Sequence, residues 1–78
     1  MAGLTETRIL AAKPREKSYK LPDGRGLHLL ITPTGSKLWR LRFQHDGRES
    51  MSSLGQYPDV PLKLARERRE EAERESRD

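Results

Sequence analysis

Arg40 and Arg42 stand two residues apart in Lys37-Leu38-Trp39-Arg40-Leu41-Arg42-Phe43-Gln44, a stretch in which apolar and polar residues alternate. A period of two places Trp39, Leu41 and Phe43 on one face of a β-strand and Arg40, Arg42 and Gln44 on the other. Guanidinium groups presented from a strand can bind phosphate oxygens or, in a DNA major groove, the O6 and N7 edge of guanine. Lys37, Gln44, Arg48, His28 and Ser53 flank the two arginines and complete the candidate binding set. Alternating charges on half-exposed strands usually do no more than keep the outer face soluble. Two facts weigh against that bland role: the arginine face lacks carboxylates until Glu49 on the neighbouring strand, and the same half of the chain holds its whole charge excess.

Catalytic constellations are missing. The chain has no cysteine and only two histidines, His28 and His45, which are too few for a structural zinc site. No histidine–carboxylate pair has a useful spacing, and Gly24-Arg25-Gly26 is a turn rather than a phosphate-cradling loop. These features predict a non-catalytic chain that needs neither cofactor nor metal, and they leave little support for an autonomous nuclease.

Composition points the same way. Seventy-eight residues, 32% of them hydrophobic and 36% charged, allow one domain with a small core and no deep pocket for a small-molecule ligand. No apolar run reaches membrane-spanning length and the start of the chain lacks a secretory pattern, so a cytoplasmic chain with no membrane partner is expected. The net charge of +4 is unevenly placed. Residues 61–78 hold six basic and six acidic residues, whereas residues 1–60 hold ten basic and six acidic ones. A positive body beside a neutral tail suggests a polyanion-binding face.

The elements that must position these residues follow from local signals. Leu4-Thr5-Glu6-Thr7-Arg8-Ile9-Leu10-Ala11-Ala12 predicts a short helical turn capped by Thr5, packed through Leu4, Ile9 and Ala12 and ended by Pro14. Pro22-Asp23-Gly24 reads as a tight turn, because proline presets φ and glycine supplies φ > 0. Residues 27–31 form a short strand, residues 32–36 a loop and residues 37–44 a second strand. Asp46-Gly47 is a hairpin signal that folds residues 49–54 back as a third strand, despite serines at 50, 52 and 53. Pro61 suits the first position of a helix, and strong helix formers follow it, although Leu62, Ala65, Arg69 and Ala72 make only a thin apolar stripe. The expected architecture is α+β: a three-stranded antiparallel β-sheet packed against one C-terminal α-helix, after a short N-terminal helical turn. Residues 1–16 form the N-terminal segment, 17–60 the sheet, and 61–78 the helix and the start of a linker, all in a single domain.

Leu4-Thr5 followed by Ala11-Ala12-Lys13-Pro14, then Lys20-Leu21-Pro22-Asp23-Gly24, Gly26-Leu27, Gly35-Ser36-Lys37-Leu38-Trp39-Arg40 and Leu54-Gly55-Gln56-Tyr57-Pro58-Asp59-Val60, resembles the N-terminal arm-binding domain of prophage integrases, the P4-like tyrosine recombinases. The order and spacing of these pieces, in register from Leu4 to Ala72, make the resemblance specific. It implies a three-stranded sheet that enters the major groove of arm-type DNA sites during site-specific recombination and integration of a mobile element or viral genome. In such integrases the catalytic tyrosine lies in later domains, so the chain is expected to be a non-catalytic fragment ending in a linker. The implied partner is double-stranded DNA at the bacterial nucleoid, with other integrase protomers or accessory DNA-bending proteins as further candidates.

The chain departs from that pattern in two places. Pro61 and Leu64 stand where relatives often carry serine and glutamate, so a capping box is lost and the helix start is left to Pro61 and Asp59. The third strand is poorer in lysine and arginine than in many relatives, which weakens its expected share of DNA contact. A second expectation, from a different class, is a protein-interaction module that uses the charged helix and a sheet edge for recombinase assembly or accessory-factor contact.

Overall fold

A computed structural model describes residues 3–76, apart from the side chains of residues 45 and 76. Thr5 caps the helix α1 (Glu6–Ala11) by accepting the Arg8 amide at 3.2 Å. Strands β1 (Tyr19–Gly24), β2 (Leu27–Ile31), β3 (Lys37–His45) and β4 (Arg48–Gln56) follow, and helix α2 (Leu62–Ser76) closes the fold. The four strands form one antiparallel meander in the order β1-β2-β3-β4. Asp46 and Gly47 take positive φ values of 53° and 75°, as the two-residue β3–β4 turn requires.

The α+β class and the C-terminal helix are as expected, but the sheet has four strands instead of three. The additional strand is β1. Tyr19, Lys20 and Leu21 pair with Ile31, Leu30 and Leu29, and Pro22 pairs with His28. Proline is tolerated because β1 is an edge strand, and the turn falls later, at Gly24, Arg25 and Gly26, all with positive φ.

One face of the sheet carries the core. Leu27, Leu29, Ile31, Trp39 and Leu41 are buried there with Leu4 and Ile9 from the N-terminal segment, Val60 from the β4–α2 connection, and Leu62 and Ala65 from the start of α2. The Trp39 indole donates to the Val60 carbonyl at 2.6 Å, fixing the β4–α2 connection over the sheet. Glu6 caps α2 from a distance: its carboxylate accepts the Leu62 amide at 3.3 Å and the Tyr57 hydroxyl at 2.9 Å. An acidic group from α1 thereby replaces the missing capping box, in the role expected of Asp59.

Helix α2 grips both outer strands where their register slips. β1 slips between Pro22 and Gly24, leaving Asp23 as an extra residue, and β4 slips opposite Trp39 and Arg40, leaving Leu54 extra. The Asp23 side chain, 1% exposed, accepts from Arg66 at 2.8 and 3.0 Å, from Arg69 at 3.0 Å and from the Leu4 amide at 2.8 Å. Burial pushes the Asp23 carboxyl up, but the Arg66 and Leu4 hydrogen bonds and the two guanidinium charges outweigh it and hold the pKa below 3.8. At the other edge Arg68 donates to the Leu54 carbonyl at 2.6 Å.

Candidate nucleic-acid interface

Strand register assigns the side chains of the second face, which points away from the core. Three rows cross it. Lys20, Leu30, Leu38 and Gln56 make the first row; Pro22, His28, Arg40 and Ser53 the second; Arg42 and Met51 the third, with Gln44 and Glu49 beyond them. Arg40 and Arg42 alternate with buried Trp39 and Leu41 along β3, so burial of the core fixes the direction of both guanidiniums. A close approach of Gly26 secures β3 at this point. The Arg42 amide donates to the Gly26 carbonyl at 2.9 Å, and a Cβ on Gly26 would collide with the Arg42 carbonyl.

His28 lies at the centre of the cations. It is 8% exposed, and its pKa is lowered from 6.5, first by burial and then by the charges of Lys20, Arg42 and Arg40, against a backbone hydrogen bond at Gly26 that raises it. The imidazole is thus held neutral among three positive groups, where a further charge would be repelled. Beside it, the buried Nε of Arg40 has no hydrogen-bond partner among the described residues. A buried donor left unpaired costs about 1–3 kcal/mol. Arg42 is differently placed: its Nε lies 3.0 Å from a Glu49 oxygen, both side chains being more than half exposed. A pair that open to water is weak and can be exchanged for a phosphate.

Of the seven residues singled out in the sequence, Arg40, Arg42, Gln44, His28 and Ser53 share this face. Lys37 does not. It alternates with Trp39 onto the core side, where its ammonium donates to the Ile9 carbonyl at 2.7 Å and lies 5.8 Å from the Tyr57 ring centre. Arg48, at the exposed tip of the β3–β4 hairpin, alternates with Ser50 onto the core side as well. Lys20 was missed because residues 19–22 were not read as a strand; their alternation of Tyr19 and Leu21 with Lys20 and Pro22 was the available signal. Among the described residues no group of three or more histidine, aspartate and glutamate side chains could hold a metal ion, and no helix is long and apolar enough to cross a membrane.

A four-stranded antiparallel sheet that buries one face under two helices and presents a cluster of cations on the other defines a small anion-binding module. Residues 4–78 match the Arm DNA-binding domain family, and the chain belongs to it. It is 46% identical over 65 residues to the prophage integrase IntS of Escherichia coli K12 and to the integrase of Shigella phage Sf6, in each case over 83% of this chain and 17% of the relative. The integrase of Enterobacteria phage P4 is 38% identical over 73 residues, covering 91% of this chain and 17% of the relative. The chain thus spans about one sixth of the length of these curated relatives.

Proposed function

We propose that this module binds arm-type sites on double-stranded DNA, with the outward sheet face in the major groove, and so holds a prophage integrase of the tyrosine recombinase class on its substrate. The observation that carries the reading is the convergence of Lys20, Arg40 and Arg42 around a neutral His28 on the face the core leaves free. Arg40 and Arg42 lead, through guanine edges or phosphates. Gln44 and Ser53 add hydrogen bonds from the same face, Lys20 reaches the flanking backbone, and Arg48 approaches a phosphate from the hairpin tip. Strand cleavage belongs to other domains of the parent integrase, which acts at the nucleoid.

The test is duplex binding by fluorescence anisotropy across a salt series. With four to six phosphates neutralised, log K should fall against log salt with a slope of about −4 to −5. Arg40→Ala together with Arg42→Ala should weaken binding at least tenfold with thermal unfolding unchanged, and unaltered affinity would refute the assignment.

A second reading has its own observation. The solvent side of α2 exposes Glu67, Glu70, Glu71 and Glu75 alongside Lys63, Arg68 and Arg74, while Arg66 and Arg69 turn inward to Asp23. That densely charged side, with both signs present, suits a protein surface of complementary charge pattern, such as another protomer or an accessory DNA-bending protein. Binding that ignores Arg40 and Arg42 but is lost on truncating residues 66–78 would favour it.

A further inference from the structure

The outward face carries apolar side chains as well as cations. Leu30 and Leu38 lie directly opposite one another on β2 and β3, both half-buried, and neither belongs to the hydrophobic core or packs against it. Met51, 47% exposed, sits opposite Arg42 on the same face. The chain is only 32% hydrophobic, and the core with the residues packed against it takes most of that supply, yet two leucines are paired outside it. The thymine 5-methyl group is the apolar feature of a major groove whose other base edges are hydrogen-bonding groups.

We infer that Leu38 and Leu30 contact thymine methyl groups, so that the sheet reads thymine beside the guanines or phosphates engaged by its arginines. The inference rests on the DNA-binding reading above and extends it to base preference. Continuity of the face identifies the occupant. Leu38 is two residues from Arg40 on the same side of one strand, about 6.7 Å along it, and base pairs stack about 3.4 Å apart. Whatever accepts the Arg40 guanidinium therefore has a second base pair, about two steps away, within reach of Leu38. Lys20, level with Leu30 on the adjoining strand, supplies a cation for the backbone at that end of the face. The spacing carries a specific consequence: the preferred thymine lies about two base pairs from the position read by Arg40.

The experiment uses the 78-residue chain and duplexes it selects from a randomised pool. Each thymine of a selected duplex is replaced singly by deoxyuridine, which removes only the methyl group. Affinity is then measured for the wild type, Leu38→Ala, Leu30→Ala and Leu38→Thr, the last placing a strand-favouring β-branched residue at the position. One or two replacements should weaken wild-type binding roughly fourfold, the effect of burying one methyl-sized group. The same replacements should have no further effect in the matching leucine variants. Wild-type binding that depends on salt and on Arg40 but ignores every deoxyuridine overturns the inference while leaving the DNA-binding reading intact, and so does a penalty that persists undiminished in all three leucine variants. Failure to select any preferred duplex, with Arg40→Ala binding as well as wild type, overturns both.

Discussion

The Asp23 carboxylate accepts hydrogen bonds from the Leu4 amide, Arg66 and Arg69, and so joins the N-terminal segment, the end of β1 and helix α2 at one point. Removing one member of a buried ionic cluster strands the others, at a cost of about 3 kcal/mol or more. Asp23→Asn should lower stability by about that amount in urea unfolding at neutral pH. The sign with pH follows from the lowered pKa. A folded state that prefers the carboxylate gains its full contribution above 3.8 and loses it as pH falls through the lower folded-state value. The stability gap between wild type and Asp23→Asn should therefore narrow on acidification below 3.8, and a gap independent of pH would contradict the assigned role.

Among the elements, those with local causes were legible in the sequence. Thr5 caps α1, Asp46-Gly47 turns the hairpin, and the alternation in β3 predicts which residues face the core. β1 was masked, because the strong turn chemistry of Pro22-Asp23-Gly24 overrides the short alternation at residues 19–22, and the strand depends on partners in β2. The same division runs through the candidate site. Arg40, Arg42 and Gln44 were assigned to one face from their own strand, and the same alternation puts Lys37 with Trp39 on the other; what the strand alone could not show is the carbonyl that holds it, on Ile9, 28 residues away in sequence. Glu6 is another long-range case, capping α2 across 56 residues. Glu6→Ala should destabilise the fold by about 1 kcal/mol and speed hydrogen exchange at the Leu62 amide, whereas Asp59→Ala should leave that amide protected.

On the scale of the whole molecule, charge is unevenly divided between two sides: cations surround His28 on the outward sheet face, whereas the solvent side of α2 mixes carboxylates with Lys63, Arg68 and Arg74. A polyanion is therefore attracted to the sheet rather than to the charge-balanced helix, which orients the encounter. Because the His28 pKa is lowered from 6.5 by burial and by the neighbouring cations, a phosphate brought to this face would raise it and favour protonation. DNA affinity should increase as pH falls below 6.5, with proton uptake visible in calorimetry, and His28→Gln should flatten the profile. The fold responds oppositely, since a lowered histidine pKa means that acid favours the unfolded chain in this range. The two register slips also affect how molecules meet. A regular outer strand exposes a row of unpaired amides and carbonyls on which another sheet can grow. Here both boundary strands are interrupted, at Asp23, held by Arg66 and Arg69 of α2, and at Leu54, held by Arg68. The helix that completes the core thereby also works against edge-to-edge polymerisation of the module.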